Sequence, residues 1–275
     1  MDDKQEVVSD DFMSGKLVTN NFSSADPRVM SAVEIIIPFH GLYHKVANLI
    51  ETIFATVTSN RYQITLVDDA SPNHGFIKEL ASKKITGLVC YRKNEHEGFA
   101  SAINFAIKNS KNTWIPYVCI MHSDVTPLDV AWLSNLGSTL KKLKGKGIKM
   151  VSARSNYFDE NMKHLVTERS QKVDDYILNE NEYLPLFCSI AHRDLFKHIG
   201  YFNSISLAGG ESHEFASRMR VKGYQQAIAG SSWINHDGNG TIKTLSPKLK
   251  EILRKSCNEY YESTNMKSTL VNSID

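Results

Sequence analysis

Two isolated polar residues stand where a metal ion could be held. Asp124 follows an apolar run that ends at Met121, and His236 follows another apolar run and precedes a glycine-rich stretch. Carboxylate oxygens are ligands that Mg²⁺ and Mn²⁺ prefer, and Mn²⁺ accepts imidazole nitrogen more readily than Mg²⁺ does. Both residues also have a structural interpretation, because a strand-end aspartate can cap the helix expected after Pro127 and a single histidine is often structural. The residue types alone leave both interpretations open.

A third feature that could take part in catalysis is an acidic turn that begins with glycines. Gly209 and Gly210 precede Glu211, and Glu214 follows about one helical turn later. A carboxylate at a helix start can project into a cleft, where the positive end of the helix keeps it ionised. Such a group could serve as a general base, and its structural alternative is to cap its own helix.

Polar residues follow the apolar runs at four successive points of the chain. Because ligands bind beyond the carboxyl ends of the strands in an open parallel sheet, these side chains are expected to converge at one edge. Each one alone fits an ordinary turn or helix cap, as Asp68 and Asp69 do before Ser71 and Pro72. Four coincidences on successive strands favour a shared site. The four ends are 38–41, 68–72, 91–94 and 122–124.

The apolar runs that carry these ends alternate with segments of helical spacing. Short β-branched runs of this kind are typical of strands buried on both faces of a parallel sheet. The predicted fold is α/β: a mostly parallel, Rossmann-like sheet flanked by helices in a single domain. Strands are predicted at 33–37, 63–67, 88–91, 115–121, 149–153, 184–190 and 226–234, and helices at 46–53, 77–80, 100–107, 128–143 and 212–222.

Three segments lie outside this alternation. Residues 1–31 show no sustained hydrophobic period and are predicted to form a flexible leader before a domain at 32–241. Residues 242–275 are predicted to form a C-terminal helix and tail, with the helix running from Pro247 to Tyr261. Residues 155–183 are predicted to be either a long loop over the site or part of an acceptor-binding region.

The overall charge is close to neutral, which argues against several classes of partner. The 32 Lys and Arg residues nearly balance the 30 Asp and Glu residues, so the net charge of +2 indicates neither nucleic acid nor an anionic membrane. The lysine-rich stretch at 141–149 is interpreted as a solvated helix end and turn. Because neither a signal peptide nor a spanning stretch is found, a soluble protein is expected.

The four cysteines are spaced too irregularly for a zinc site or a disulfide framework. They form no C-x-x-C pair, and three of them fall inside apolar runs, which favours reduced, buried thiols. A reducing compartment, the cytoplasm, is therefore expected. The four positions are Cys90, Cys119, Cys188 and Cys257.

Taken in order, these motifs resemble the nucleotide-sugar-dependent glycosyltransferases of the GT-A fold, closest in pattern to family 2, over roughly residues 33–241. Residues 68–71, Asp-Asp-Ala-Ser, are similar to the family's Asp-Asp-Gly-Ser, which implies that Asp69 hydrogen-bonds the edge of a uracil or equivalent base. Residues 94–104 are similar to the family's Asn-x-Gly-x-x-x-Ala-x-Asn with two extra residues before Gly98, which implies a helix start that faces the nucleotide. The nucleotide-binding residues implied are Pro38, Phe39, Asp68, Asp69, Asn94, Gly98 and Ser123.

The family's Asp-x-Asp metal motif corresponds here to His122-Ser123-Asp124. The resemblance implies that Asp124, in the place of the second acid, holds a divalent cation against the donor diphosphate, with Mn²⁺ or Mg²⁺ as the cofactor. A histidine at 122 tilts this expectation toward Mn²⁺. His236 matches a late histidine that completes the metal shell or contacts the diphosphate in many relatives. The implied metal ligands are therefore Asp124, His236 and His122.

The chain departs from the family pattern at Ser212. Most inverting relatives have Glu-Asp where this chain has Glu211-Ser212, and that Asp deprotonates the acceptor hydroxyl. A serine cannot do so at neutral pH without an activating base of its own. Either Glu211 or Glu214 is the catalytic base, or the enzyme is not a standard inverting one. The form Gly-Gly-Glu-x-x-Glu-Phe is also similar to polypeptide N-acetylgalactosaminyltransferases, which retain configuration, so the stereochemistry stays open.

The resemblance implies a metal-dependent glycosyltransferase that moves a sugar from a nucleoside diphosphate, with UDP as the expected nucleotide, onto an acceptor hydroxyl. A glycan, a lipid-linked compound or another hydroxyl compound would be the acceptor. One alternative is a nucleotidyltransferase, although the glycine-rich phosphate loop normal after its first strand is not found at 38–42. Another alternative is a catalytically silent sugar-nucleotide or glycan-binding module, which Ser212 favours.

Overall fold

The computed structural model of the chain describes residues 32–58, 61–158, 160–204, 210–238, 247–248, 250–252 and 254–255. The predicted leader at 1–31 and Gly209 lie outside these residues. Within the predicted C-terminal helix, residues 247–248, 250–252 and 254–255 are helical. No helix of the described part is both long enough and apolar enough to cross a membrane.

A nine-stranded sheet with helices packed against it forms the domain. Its strand order is β3-β2-β1-β4-β8-β6-β9-β5. β7 is not part of this linear order and pairs with β9. The strands are β1 (Val33–Phe39), β2 (Tyr62–Asp68), β3 (Leu88–Arg92), β4 (Tyr117–Met121), β5 (Val125–Pro127), β6 (Ile148–Ser155), β7 (Tyr176–Ile177), β8 (Cys188–His192) and β9 (Gln225–His236). The helices are α1 (Tyr43–Thr56), α2 (Gly75–Ser82), α3 (Phe99–Asn109), α4 (Trp132–Leu143), α5 (Asp194–Ile199) and α6 (Glu211–Val221).

The first four strands in spatial order, β3, β2, β1 and β4, are parallel. Every residue of β1 is buried, as expected for a β-branched strand that is covered on both faces. A helix connects each of β1, β2 and β3 to the next strand, which is the crossover that parallel pairing needs. The predicted α/β fold, with a largely parallel sheet and flanking helices, is therefore confirmed.

One strand reverses the direction of the sheet. β8 lies between β4 and β6 and is antiparallel to both, whereas β6 and β9 are again parallel. The three-residue β5 is antiparallel to the end of β9. The helix predicted at 128–143 was wrong at its start, because the chain first completes the β5 pairing and α4 begins only at Trp132.

A buried polar network joins the beginning of β1 to the end of β8. Glu34 is fully buried, accepts hydrogen bonds from Thr65 at 2.6 Å and Ser110 at 3.0 Å, and forms an ion pair with Arg193. Arg193 also donates to the carbonyl oxygen of Ile115 at 3.0 Å. Since a buried charge is tolerated only when it is paired and hydrogen-bonded, this network ties the reversed strand to the parallel part of the sheet.

The buried thiols agree with the sequence. Cys90, Cys119 and Cys188 are buried and unpaired. Burial raises the pKa of the Cys90 thiol to about 12, so it remains protonated at neutral pH. Cys257 lies outside the described residues.

The segment 155–183 is anchored along β9 at its middle. β7 pairs with β9, and the carboxylate of Asp175 accepts hydrogen bonds from the Gly230 N–H and from Lys142, each at 2.9 Å. Gly230 is needed at this contact, because a Cβ there would lie 2.2 Å from the carbonyl oxygen of Val173. The close approach of two backbones therefore fixes this part of the segment.

Gly230→Ala is expected to destabilise the protein by about 2 kcal/mol, because the added methyl group overlaps backbone atoms that cannot rotate away. Gly145→Ala is the matched control, since a Cβ at Gly145 meets nothing within 4 Å. Urea denaturation of the three proteins would measure the difference. Equal midpoints for the two variants would contradict the close contact at Gly230.

Candidate active site

The carboxyl ends of the parallel strands carry the polar residues that the sequence indicated. Asp68 ends β2 and Arg92 ends β3, while Ser123 and Asp124 follow β4. The end of β9 lies at this same edge, because β9 is parallel to β6 and β6 lies parallel to β4 through the intervening β8. His236, the last residue of β9, therefore reaches the same edge as Asp124.

The pairing of β5 with β9 brings the predicted metal ligands together. Val125 lies opposite His236 in the register, and the Asp237 N–H donates to the carbonyl oxygen of Asp124 at 3.1 Å. His236 Nε2 lies 3.4 Å and His122 Nδ1 lies 3.9 Å from Asp124 Oδ1. One ligand atom from each of His122, Asp124 and His236 lies within 4.8 Å of the other two.

The chemical state of this His-Asp-His cluster suits a divalent cation. Neither ring nitrogen of His236 has a hydrogen-bond partner among the described residues, although both are buried. Burial lowers the pKa of His122 to about 4; His236 acts in the same direction and Asp124 opposes it. A neutral imidazole keeps a lone pair for a metal ion. Two nitrogens and one carboxylate oxygen form a donor set that fits Mn²⁺ better than Mg²⁺.

The surroundings of His236 fix its position. Asn156 receives the His236 N–H on its side-chain oxygen at 2.8 Å and donates to the His236 carbonyl oxygen at 3.2 Å. The His236 ring packs edge-on against Tyr157 at 5.2 Å and tilted against Phe187 at 5.0 Å. None of these three neighbours was predicted as a site residue. Asn156 could have been, because it is a polar residue that directly follows β6.

Asp68 and Asp69 are buried and bonded within the protein. Asp68 accepts a hydrogen bond from the Ser71 N–H at 2.8 Å and forms an ion pair with Arg92. Asp69 is held by Lys93 at 2.8 Å, by His96 Nδ1 at 2.8 Å and by the Gly98 N–H at 2.7 Å. Burial acts to raise the pKa of Asp69, but bonds from His96 and Lys93 outweigh it and hold the pKa below its usual value.

The start of α3 is therefore occupied by a carboxylate of the protein. Because Asp69 receives the Gly98 N–H, it neutralises the positive helix end that the family resemblance places near the nucleotide. His96, one of the two extra residues in this loop, also stacks with His40 at a ring distance of 4.1 Å. The base-edge role of Asp69 stays a prediction. His40 and Lys93 belong to the strand ends 38–41 and 91–94 that were predicted to converge, and His96 to the motif at 94–104, but the sequence did not single out any of the three.

The other predicted nucleotide-binding residues differ in their access to the edge. The Phe39 ring is buried against Phe76 at 5.9 Å, and Pro38 is buried within β1. Ser123 is buried beside Asp124, whereas Asn94 is exposed in the loop before α3. Their roles toward a nucleotide stay predictions.

The two candidate bases on α6 have different environments. Glu214 is engaged by Arg218 at 2.5 and 2.8 Å and by Asn203 at 2.8 Å. Arg218 in turn donates to the carbonyl oxygens of Ile199 and Tyr201. Glu214 therefore belongs to a hydrogen-bond network that connects α6 to the segment before it. Glu211 is the first residue of α6 and is buried. The bonds from Arg218 and Asn203 therefore engage Glu214, whereas Glu211 lies at the amino end of the helix.

The start of α6 is linked to the His-Asp-His cluster through residues 183–187. His213 packs edge-on against Tyr183 at 5.6 Å. Four residues later, the carbonyl oxygen of Phe187 accepts the His122 N–H at 2.9 Å. A single short segment therefore contacts both the first turn of α6 and the metal cluster, which places the two on the same side of the domain.

Comparison with known proteins agrees with this geometry. Residues 34–200 match the sequence profile of the family described as glycosyl transferase family 2. No curated protein sequence matches the chain significantly.

Two solved structures share the fold. One is a crystal structure of GalNAc-T7 with UDP, GalNAc and Mn²⁺, with a TM-score of 0.59 and 15% identity over 87% of this chain and 51% of that one. The other is the mannosyltransferase PcManGT from Pyrobaculum calidifontis in complex with GDP-Man and Mn²⁺, with a TM-score of 0.59 and 14% identity over 88% of this chain and 68% of that one. The chain thus spans about half the length of the first structure. At these identities the likeness shows the fold alone.

Asn156→Ala is expected to weaken Mn²⁺ binding about tenfold, because it releases both backbone bonds that position His236. Asn235→Ala is the control, since the side chain of Asn235 bonds only to Asp237 among the described residues. Isothermal titration with Mn²⁺ would measure both variants. Parent-like affinity in Asn156→Ala, with the fold retained by circular dichroism, would remove Asn156 from any positioning role.

Proposed function

The chain belongs to glycosyl transferase family 2, and from this premise we propose that it transfers a sugar from a UDP-linked donor to an acceptor hydroxyl with Mn²⁺. The observation that carries the proposal is the His122, Asp124 and His236 cluster at the carboxyl edge of the sheet. Buried imidazole nitrogens without partners are costly unless a ligand uses them. The acceptor is a glycan, a lipid-linked compound or another hydroxyl compound.

The metal preference follows from the donor atoms. Mg²⁺ prefers an octahedral set of oxygens, whereas Mn²⁺ tolerates the two imidazoles of this cluster. A bound cation of this kind neutralises charge on a departing diphosphate. The two structures that share the fold were both determined with Mn²⁺ and a nucleotide or nucleotide sugar, which supports the proposal.

The donor nucleotide is proposed to lie along the ends of β1, β2 and β3 beside the cluster. Asp69 would read the base edge only after one of its present partners gives way. His96 is the partner best suited to leave, because its side chain is 15% exposed and that of Lys93 is 1% exposed. Lys93 and the start of α3 would then keep the Asp69 carboxylate ionised while it accepts a hydrogen bond from the base.

Glu211 is proposed as the general base in place of the missing aspartate at 212. A base must keep a free lone pair near the attacking hydroxyl, and the bonds from Arg218 and Asn203 make Glu214 poorly suited to that task. Glu211 lies at the positive end of α6, which favours the ionised carboxylate. A reducing compartment, the cytoplasm, is proposed as the location because the three described thiols are buried and unpaired.

A catalytically silent sugar-nucleotide or glycan-binding module is the second candidate, and the specific observation in its favour is Ser212. A serine in the first turn of α6 supplies no base. Donor hydrolysis separates the two candidates. Release of UDP from a UDP-sugar panel that depends on Mn²⁺ supports an enzyme, and donor binding without any turnover supports the silent module.

Asp124→Ala is expected to abolish turnover and the Mn²⁺-dependent part of nucleotide binding, because it removes the only carboxylate of the cluster. His236→Ala should weaken the same metal response less severely. Asp129→Ala is the control, since Asp129 is exposed and paired with Arg169. Mn²⁺ titrations of UDP binding and of donor hydrolysis would measure all three. Full activity of Asp124→Ala in EDTA would contradict the metal-dependent reaction.

Glu211→Gln is expected to lower kcat about 10²- to 10⁴-fold with donor affinity nearly unchanged, because it keeps the shape but removes the basicity. Glu214→Gln should keep kcat near that of the parent. It should lower the stability by about 1 kcal/mol, because it removes the ion pair with Arg218. Steady-state kinetics would measure kcat, and thermal denaturation would measure the stability of both variants. A reversed result would make Glu214 the base, and two fast variants would favour a retaining reaction, which NMR of the product anomer would test.

A further inference from the structure

The end of the sheet opposite the candidate active site has an unusual surface. The amino ends of β3, β4, β6 and β9 all lie at this end of the sheet, although other strands separate β3 from β4 and β4 from β6, and helices α2, α3, α4 and α6 end there. We call this surface the basal edge and define it by the connections 83–87, 110–116, 144–147 and 221–224. None of these residues belongs to the proposed transferase site.

The basal edge is strongly basic although the chain as a whole is nearly neutral. Its four connections carry six lysines and neither Asp nor Glu. Close to it, Glu79 pairs with Lys83, Asp175 on the neighbouring segment pairs with Lys142, and Asp194 after β8 pairs with Lys197. The six lysines are Lys83, Lys84, Lys111, Lys144, Lys146 and Lys222.

Lysines at helix ends have an ordinary explanation, since cations stabilise the carboxyl end of a helix. That explanation does not extend to the two apolar side chains among them. Trp114 is 59% exposed and Val221 is 86% exposed. Val221 is the most exposed large hydrophobic residue in the described part of the chain. Exposed apolar groups within a polar rim mark sites of interaction.

Two of the four connections, 144–147 and 221–224, are in direct contact. The Gln225 N–H donates to the carbonyl oxygen of Gly147 at 3.1 Å, and a Cβ on Gly147 would lie 3.5 Å from the carbonyl oxygen of Gly223. The turns that hold Lys146 and Val221 are therefore in contact. The connection that holds Trp114 enters β4, which is three strand spacings from β9, or about 14 Å.

We propose that the basal edge docks the protein onto an anionic lipid bilayer, with Trp114 and Val221 inserted at the headgroup level and the lysines against the lipid charges. Tryptophan prefers the membrane interface, and basic residues around an apolar group add electrostatic attraction to anionic lipids. A nucleic acid is the less suitable partner, because an exposed valine beside the lysines makes no favourable contact with a phosphate backbone.

This docking orients the proposed transferase site away from the bilayer. β9 runs from the basal edge to His236 beside β6, whose 8 residues span about 26 Å at the usual rise per residue. The site would therefore act on acceptors in the water phase or on extended chains that reach it. Docking does not depend on the proposed reaction, so either can fail without the other.

Intrinsic fluorescence tests the proposal directly. The chain has three tryptophans, and Trp132 and Trp233 are buried, so a change in emission on vesicle binding reports Trp114. Titration with vesicles that contain phosphatidylserine in phosphatidylcholine should shift the emission to shorter wavelength at low salt. Phosphatidylcholine alone should give no shift. Absence of both a shift and cosedimentation with anionic vesicles would overturn the proposal.

Matched variants separate the apolar and the ionic contributions. Lys144→Glu with Lys146→Glu should weaken vesicle binding at least about 25-fold, since each lysine near an anionic surface is worth about fivefold. Lys163→Glu with Lys172→Glu has the same charge change on exposed positions of the segment 155–183 and should weaken binding less. Val221→Ser should weaken binding about fivefold, whereas Val130→Ser, which is also exposed, should not.

Two outcomes point to other partners or explanations. Equal loss with both lysine pairs would mean a diffuse charge effect and would overturn a defined docking edge. Tight binding of duplex RNA or heparin with no binding of anionic vesicles would identify a polyanion site instead. Donor hydrolysis in solution by the Val221→Ser and lysine variants should match the parent in every case, because these residues lie outside the site.

Discussion

The short antiparallel pairing between β5 and β9 is the constraint on which the candidate site depends. Only three residue pairs form it, yet the register of Val125 opposite His236 is what puts Asp124 beside a histidine that is over a hundred positions away in sequence. A slip of one residue would turn His236 to the other face of the strand and separate it from Asp124. β9 resists such a slip because β6 holds it in parallel along most of its length.

Satisfaction of hydrogen bonds distinguishes buried polar residues that hold the fold from those available for ligands. Glu34 and Asp69 are surrounded by donors, and each links several elements of the sheet. His236 is equally buried, but its ring nitrogens bond to no described residue. A buried polar group without a partner costs free energy, so it is retained where a ligand offsets the cost. Glu214 belongs to the first group, because Arg218 and Asn203 hold its carboxylate.

The sequence predicted the features that depend on local pattern. The polar residues after the apolar runs predicted that Asp68, Asp69 and Asp124 share one edge. This prediction depends only on the sheet being parallel, because the carboxyl ends of parallel strands lie at the same edge. The sequence could not predict the direction of β8 or the partners of Asp69, since these depend on contacts between segments far apart in the chain. The early start assigned to α4 had the same origin, as nothing local marks Val125–Pro127 as a strand until β9 is beside it.

The net charge does not show that acids and lysines are distributed unevenly between the two edges of the sheet. Helices in this fold begin at the carboxyl edge and end at the basal edge, so their dipoles favour acids at one end of the domain and lysines at the other. The acids then serve the candidate site, where Asp69 and Glu211 lie at helix starts. Six lysines lie at the opposite end, and the net charge of +2 counts both groups without showing where they are. A composition near neutrality therefore excludes a uniformly charged surface, but it does not exclude two opposed faces with different partners.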